Sequence, residues 1–405
     1  MKTARPFLAL TLVVCLVLAG AVSRSLAGSP SRSELGKPIE GLSMDERRLF
    51  RDGKQAFGEA EDAASGLGPI FNNNSCVACH SVPAIGGSSP INETRAQRVD
   101  ASGAHFEFEG GSLFQSDAIS PGCQEVVPPG ANAVARRQTT PLFGLGLVEA
   151  IPDGQIADYA AEQARANPLQ AGRVNWVTDV ASGRLLVGRF GWKNQQATLL
   201  AFSGDAYINE MGITNFLFLT ESAPNGNLGT LAACDKLPEP EDTENDTVAF
   251  ANFMRLLAPP PGDESCSRSN HHHKSSRGRR FFSRSERGEQ VFEKVGCAVC
   301  HHAGFTASSP IAAIDGESVD AYSDFLLHDV GTGDGIVQGG AQANELRTAP
   351  LWGLSESAPY LHDGSAPTLK EAIRRHANQG AAAQQAFRAL SDADQQALVA
   401  FLSSL

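Results

Sequence analysis

Long apolar runs, positive charge and cysteine are all scarce in this chain of 405 residues. After residue 27 no apolar stretch has the roughly 20 residues that a membrane helix needs, so we expect no membrane span in the mature protein. The formal net charge of −12 gives no electrostatic reason to expect nucleic acid as a partner. The chain has eight cysteines, few enough to be interpreted one by one.

The long apolar run lies at the N-terminus. Lys2 and Arg5 precede an apolar segment over residues 7–18, and small residues follow at Ala19-Gly20-Ala21 and at Ser25-Leu26-Ala27. This order predicts a cleaved secretory signal peptide over residues 1–27, and hence a periplasmic or otherwise exported protein. Cys15 lies inside the apolar run, where a lipid-anchor cleavage site is not expected.

Four cysteines form a repeated motif. Cys76-Val77-Ala78-Cys79-His80 recurs as Cys297-Ala298-Val299-Cys300-His301. Thiols three positions apart are about one helical turn from each other, so both can bond one haem while the next His reaches its iron. The motifs therefore predict two covalently bound c-type haems with His80 and His301 as proximal iron ligands. A redox C-x-x-C or half of a zinc site is the alternative, but no second C-x-x-C lies near either copy.

The remaining cysteines are Cys123, Cys234 and Cys266. In an oxidising compartment one pair of these can form a disulfide. We prefer Cys123 with Cys234, because Cys266 lies in a polar and basic segment that we interpret as a linker. The sequence leaves the pairing open.

Matched segments surround the two haem motifs. Gly53 to Phe57 and Gly288 to Phe292 precede them as candidate first helices, and Thr140 to Leu145 and Thr348 to Leu354 follow them. A third pair, Trp192 to Leu199 and His362 to Leu369, ends in Thr-Leu at equal spacing. We therefore predict a mainly α chain of two cytochrome c-like haem domains with long loops, related by internal duplication.

The predicted order of domains follows from changes in composition. Residues 41–262 form an N-terminal cytochrome c-like domain with insertions, residues 263–283 a basic linker and residues 284–405 a C-terminal domain. An apolar helix over residues 248–257 ends before Pro259, and a last helix begins at Ser391 and closes the second domain against its first helix. The three histidines at 271–273 indicate either a solvated loop or a metal-binding tract.

The whole mature chain resembles the bacterial di-haem cytochrome c peroxidases, and more closely their di-haem oxidoreductase branch, which is similar to thiol oxidoreductases. The motifs that carry the resemblance are residues 68–72, 143–152, 322–329 and 347–354. The resemblance implies an enzyme in which the C-terminal haem accepts electrons and the N-terminal haem reduces peroxide. Arg137 and Arg347, which lie upstream of the matched Pro-Leu segments, are candidates to pair with haem propionates or are ordinary surface arginines.

The family's ligand positions can be transferred to this chain residue by residue. The distal ligand of the C-terminal haem stands fourteen residues after His362 and is usually Met, whereas here it is His376. Bis-His ligation favours ferric iron and lowers the haem potential, so this departure makes the family's high-potential electron-entry role doubtful. At the N-terminal haem no His occurs between His80 and His105, which favours an empty sixth position. Met211 or Met254 is the competing ligand, and His105 lies in a strand-like run.

The resemblance also implies catalytic positions. Trp192 stands at the family's inter-haem tryptophan and is either an electron bridge or a core residue. Glu210 matches the distal acid-base carboxylate, which can move a proton between the two oxygens of peroxide. Gln196 is a possible support, although its spacing departs from the family by two residues. Glu149 is a rival for the role of Glu210, and either can be a surface acid.

These residues lead to one preferred function and two alternatives. The preferred function is peroxide reduction with electrons from a small donor protein, a cytochrome c or a cupredoxin. The first alternative is an oxidase of another, possibly protein, substrate, as in the di-haem enzyme that matures the tryptophan-derived cofactor of methylamine dehydrogenase. The second is a pure electron carrier, which is favoured if both irons are six-coordinate. The substrate, the donor, the potentials and the oligomeric state stay open.

Overall fold

The computed structural model describes residues 35–262 and 284–405. The predicted signal peptide at 1–27, the linker at 263–283, Cys266 and the three histidines at 271–273 lie outside these residues. The α-helices are α1 (Met44–Gly58), α2 (Cys76–Cys79), α3 (Leu145–Glu149), α4 (Asp153–Ala166), α5 (Leu199–Met211), α6 (Leu228–Cys234), α7 (Asp246–Leu256), α8 (Arg284–Lys294), α9 (Leu369–Arg374), α10 (Ala381–Arg388) and α11 (Asp392–Leu402).

The described residues fall into a first half, residues 35–262, and a second half, residues 284–405. The first half is built around α1, α5 and α7. Helices α1 and α7 cross closely at Gly53, where an added Cβ would lie 2.2 Å from the carbonyl oxygen of Ala249. Phe57 of α1 packs on Phe250 and Phe253 of α7, with ring centroids 6.0 and 4.9 Å apart. The predicted apolar helix at 248–257 is therefore present as α7 and forms part of the core.

The second half repeats this packing with α8 and α11. An added Cβ at Gly288 would lie 2.1 Å from the carbonyl oxygen of Ala397, and Phe292 packs on Phe401 with ring centroids 5.4 Å apart. The Ser391 hydroxyl accepts a hydrogen bond from the backbone N–H of Asp394 at the start of α11. Such a cap satisfies an N–H that has no partner inside the helix. The predicted closure of this half by its last helix is confirmed.

Strands are more extensive than the sequence indicates, because helices make up 33% and strands 15% of the residues that the structure describes. The mainly α class is therefore not confirmed. In the largest sheet, β2 pairs with β6 on one side and with β3 and β4 on the other. The strands are β1 (Ile70–Phe71), β2 (Asn92–Val99), β3 (His105–Phe106), β4 (Leu113–Phe114), β5 (Asp117–Ala118), β6 (Ala133–Gln138), β7 (Trp176–Thr178), β8 (Leu185–Val187), β9 (Phe305–Thr306), β10 (Ser318–Val319), β11 (Leu327–His328) and β12 (Leu346–Arg347).

The two halves share a core. The larger apolar cluster contains Phe57, Phe190 and Phe253 from the first half together with Phe305 and Phe325 from the second. The smaller cluster lies between α8 and α11. Residues 305–326 therefore pack on the first half although they follow the second haem motif.

Buried ion pairs also join the halves. Asp334 lies 2.8 Å from Lys193 Nζ and 2.7 Å from Arg137 Nη2, and the Lys193 and Asp334 side chains are both fully buried. The Asn194 side chain donates to the carbonyl oxygen of Phe325 at 2.6 Å. A buried pair of this kind holds its two segments firmly, since a lone charge in the same place would be very costly.

Cys123 and Cys234 form a disulfide across 111 residues of sequence, which confirms the preferred pairing. The bond ties the loop after β5 to the end of α6. Among the described helices, none has the length and apolar character that crossing a bilayer requires.

Candidate functional site

The first C-x-x-C-H motif is held in a short turn of helix, α2, that ends at His80. The Nδ1 atom of the His80 ring lies 3.1 Å from the carbonyl oxygen of Gly87, and burial lowers the His80 pKa to about 4. The imidazole is therefore neutral, and a hydrogen bond from Nδ1–H to the carbonyl leaves Nε2 as the metal-binding atom. Histidine ligands are oriented by such a bond in most metal sites.

The second motif has the same arrangement. The Nδ1 atom of His301 lies 3.0 Å from the carbonyl oxygen of Tyr322, and burial followed by the nearby His376 lowers the His301 pKa to about 4. Phe57 lies beside the ring of His80 and Phe292 beside that of His301, with ring centroids 6.0 and 6.5 Å apart. Both motifs thus present a fixed, neutral imidazole.

The motif cysteines are unpaired thiols, whereas Cys123 and Cys234 are oxidised to a disulfide. Burial raises the pKa of Cys76 and that of Cys297 to about 12. Each motif therefore keeps two reduced thiols next to a histidine, which is the set of groups that covalent haem attachment uses.

A cavity of about 290 Å³ opens beside the second motif and is mostly apolar. Cys297, Cys300, His301 and His376 all line it. The Nδ1 atom of His376 lies 2.9 Å from the carbonyl oxygen of Ala372, which again leaves Nε2 for a metal. The structure brings the two predicted axial histidines of one haem into a single cavity together with both of its attachment thiols, so the residues present fit a bis-His haem.

Arg347 also lines this cavity, and its partners are uncharged. Its guanidinium donates to the carbonyl oxygens of Gly191 and Thr348, and burial lowers its pKa to about 10. No carboxylate pairs with it among the described residues. A haem propionate is an anion of the right kind for such a group.

Arg137 has a different environment from the one that the sequence suggests. Its Nε and Nη2 atoms both lie 2.7 Å from Asp334, and its Nη1 atom lies 3.5 Å from Glu93. Sequence reasoning offered it as a propionate partner or a surface residue, but it is buried and already paired with carboxylates of the protein. Asp334 lies 197 positions away, so local sequence carries no signal for this contact.

Trp192 lies on the wall of the same cavity, at the junction of the two halves. Its indole Nε1–H donates to the carbonyl oxygen of Gln138 at 3.0 Å, and its ring meets that of His362 edge-on at 6.2 Å. Its backbone carbonyl accepts from the N–H of Arg347 at 2.9 Å. The indole is therefore held in a fixed place next to the second haem site.

The ring of His328 is bound to other side chains of the protein. Its Nε2 atom lies 2.9 Å from Asp324, and its Nδ1 atom faces the sulfur of Cys300 at 3.7 Å. Burial opposes the charged form, but Asp324 raises the His328 pKa to about 10. Both ring nitrogens therefore have partners within the protein. His376 therefore remains the distal candidate at this site.

Glu210 lies at the first motif. The end of α5 that carries it is bonded to the loop before Cys76, because the Asn72 backbone N–H donates to the Glu210 carbonyl at 2.8 Å and the Asn72 side chain donates to the carboxyl group at 2.7 Å. Glu210 is also close enough to Cys79 to raise the pKa of that thiol, after the larger effect of burial. Asn72 thus links the segment of residues 68–72 to the end of α5.

A second carboxyl group, Glu93 on β2, forms a hydrogen bond with Glu210. Burial and then the charge of Glu93 raise the Glu210 pKa to about 8. Burial alone would raise the pKa of Glu93 too, but Arg95 at 2.7 Å and Arg137 across the sheet lower it. At neutral pH Glu210 is thus the acid and Glu93 the carboxylate of one pair.

Glu93 and Arg95 are functional candidates that the sequence reasoning missed. Both lie on one face of β2, because side chains alternate along a strand. The signal was present as the alternating polar residues Glu93, Arg95 and Gln97. Such a pattern predicts a strand but does not show that Glu210 lies opposite it.

The other acid-base candidates have different partners. The Gln196 side chain bonds to Asp205 of α5, whose pKa burial raises to about 6. Glu149 forms two contacts with Arg255, at 2.6 and 3.1 Å, and accepts the Leu199 N–H at the start of α5. Glu149 is therefore occupied as a structural anion.

The other residues that the sequence offers as ligands of the first haem lie in the apolar core and in the sheet. Met211 and Met254 are buried in the larger apolar cluster. His105 lies on β3 with its Nδ1 atom 3.1 Å from the side-chain oxygen of Gln97. His105 is thus part of the sheet edge.

The chain matches the family described as "Di-haem oxidoreductase, putative peroxidase" over residues 130–246 and 271–405. No curated protein matches it. Among solved structures, hydrazine synthase of Kuenenia stuttgartiensis is 16% identical with a TM-score of 0.41, over 98% of this chain and 100% of that chain. A MauG-like protein associated with microbial copper homeostasis is 14% identical with a TM-score of 0.42, over 91% and 93%. The diheme peroxidase BthA of Burkholderia thailandensis is 14% identical with a TM-score of 0.32, over 93% and 89%.

Proposed function

The chain belongs to the di-haem oxidoreductase family, and from this premise we propose that it reduces hydrogen peroxide at the site of His80 with electrons relayed through the site of His301. In this proposal Cys76 and Cys79 hold one haem covalently, and Cys297 and Cys300 hold the other. When bound, the haems supply the redox chemistry, in which two electrons and two protons convert peroxide into two molecules of water.

The difference between the two sites is the observation that carries the proposal. His376 shares a cavity with His301, which suits a closed, electron-transferring haem. The position opposite His376 in the internal repeat is Ala206 on α5, and alanine has no atom that binds iron. The first site has instead a proton-holding carboxyl pair beside Cys79. We therefore assign peroxide binding to the first site.

Glu210 supplies the proton in this mechanism. Its pKa of about 8 keeps the carboxyl group protonated at neutral pH, and the Asn72 amide fixes the orientation of that group. Glu93 accepts its hydrogen bond and is kept ionised by Arg95. A positioned general acid of this kind contributes about 10² to 10⁴ in rate. The roles of Gln196 and Glu149 are then indirect, through Asp205 and the start of α5.

The electron route is proposed to cross the junction at Trp192, whose indole is fixed on the wall of the second cavity. Arg347 would hold a propionate there. The donor is proposed to be a small exported cytochrome c or cupredoxin, in keeping with the predicted signal peptide and periplasmic location. Arg137 takes no part in binding haem in this account.

The two-domain organisation is proposed to result from duplication, with domains over 41–262 and 284–405. Parallel local features support this. Thr198 and Thr368 each cap a helix start through the side chain, and Gly144 and Gly353 have φ of 73° and 70° before a short helix. L-residues rarely adopt such angles, so glycine is needed at both places.

Spectra and turnover of the purified protein test this function. We expect one high-spin and one low-spin ferric signal, and peroxide turnover that falls about 100-fold or more in Glu210→Gln. Glu107→Gln, an exposed control, should leave turnover unchanged. Two low-spin irons that stay inert to peroxide after one-electron reduction would contradict peroxidase activity and favour the electron carrier. Oxidation of a different substrate without consumption of peroxide would favour the oxidase.

A further inference from the structure

Three glutamates converge in a place that the proposed reaction does not use. One carboxylate oxygen from each of Glu221, Glu239 and Glu241 lies within 4.8 Å of the other two. The three residues belong to the segment between the end of α5 and the start of α7. The cluster contains no His or Cys, so its donor atoms are all oxygens.

Glu221 is the buried member, with 9% of its surface exposed. Its Oε1 atom accepts the backbone N–H of Ser222 at 2.7 Å. Its Oε2 atom is enclosed and has no hydrogen-bond partner in the described part of the chain. A buried carboxylate oxygen without a partner destabilises the fold, so the site lacks a positive or donating group.

The electrostatics agree with a missing cation. Glu221 is buried and Glu241 is half-buried, and their carboxyl groups lie close to each other and to that of Glu239. Within residues 35–262 and 284–405 no lysine or arginine forms an ion pair with the three glutamates. No cationic side chain of the described residues therefore offsets their mutual repulsion, which is reduced only by neutral hydrogen-bond donors.

The scaffold of the cluster is already organised. Thr214, which is fully buried, donates its backbone N–H to Glu241 at 2.9 Å, and its hydroxyl group contacts both Glu239 and Glu241. The backbone N–H of Asp242 donates to the Thr214 carbonyl at 2.9 Å. The disulfide of Cys234 anchors the same segment. Little ordering would be needed for an ion to bind, which favours affinity.

We propose that Glu221, Glu239 and Glu241 bind a calcium ion that joins the end of α5 to the start of α7. Calcium takes carboxylate and other oxygens at about 2.3–2.6 Å, so two oxygens on one ion are at most roughly 5 Å apart. The three oxygens meet that limit. Helices α5 and α7 pack on each other and carry Glu210 and the partners of Phe57, so the ion would stabilise the frame of the first haem site without touching the reaction.

Calorimetric titration of chelator-treated, full-length holoprotein with calcium chloride tests the site. We expect one calcium per chain, and a binding constant at least tenfold weaker in Glu221→Gln and in the exposed-side variant Glu239→Gln. Glu107→Gln is the matched control and should bind as the unaltered protein does. Calcium should also raise the unfolding temperature, because it binds only the folded chain.

Three results would overturn the proposal. They are the absence of calcium binding, equal binding in the unaltered protein and both variants, and tighter binding of magnesium than of calcium. If the cluster holds protons instead of an ion, stability will rise as the pH falls and calcium will have no effect. If Glu221→Gln fails to fold, Glu239→Gln alone decides. None of these readouts depends on peroxide turnover, so failure of the calcium site is distinguishable from failure of the proposed reaction.

Discussion

The Glu93 and Glu210 pair leads to a defined pH profile for peroxide reduction. With a pKa of about 8, Glu210 is about nine-tenths protonated at pH 7 and about one-tenth at pH 9. If its proton is used in the reaction, turnover is steady below the pKa and falls about tenfold per pH unit above it. Steady-state peroxide consumption between pH 6 and pH 10, with saturating reduced donor, measures this decline directly.

Substitution of Glu93 shows whether the decline belongs to this pair. Glu93→Gln removes the charge that raises the pKa of Glu210, while Arg95 remains to lower it. The decline should therefore move to lower pH, while in Glu210→Gln a slow, nearly pH-independent rate should remain. A structural role for Glu93 would change the rate without moving the profile. An unmoved profile in Glu93→Gln would refute the reasoning.

Other consequences can be measured separately. The double variant Cys76→Ala/Cys79→Ala should retain one covalent haem in a haemochrome assay, and retention of two would refute the motif assignment. His376→Ala should replace one low-spin ferric signal by a high-spin or water-ligated one and leave the other haem unchanged, whereas an unaltered spectrum would exclude His376 as a ligand. Lys193→Met breaks a fully buried ion pair and should lower the free energy of unfolding by about 3–5 kcal/mol in denaturant titration. Arg48→Met, at an exposed pair, should change it little, and equal losses would contradict the role of burial.

Local sequence was sufficient for features that depend on neighbouring residues. The spacing of Cys76, Cys79 and His80 places the predicted haem ligands on one turn. The cap at Ser391 and the apolar period after it predicted α11, because helix formation follows from contacts within a few residues. The Cys123 to Cys234 disulfide was predicted because the third candidate, Cys266, lies in the predicted linker.

Contacts between distant segments were beyond such reasoning. Arg137 was offered to a propionate because nothing nearby in sequence reveals Asp334 as its partner. Glu93 meets Glu210 only because β2 passes the end of α5 in three dimensions. The strands of the inserted region have short alternating patterns, and these patterns do not show which strands pair with each other. The fold class was therefore predicted to be more helical than it is. Propensity describes a segment, and pairing depends on the whole fold.

The shared core has a consequence for dissecting the molecule. Because Phe305 and Phe325 lie in the apolar cluster of the first half, a fragment that starts at residue 284 would expose aromatic surface to water. The complementary fragment would lose part of the apolar core against which its own helices pack. Neither half is therefore expected to fold on its own. In a calorimeter the two halves should unfold together in one cooperative transition.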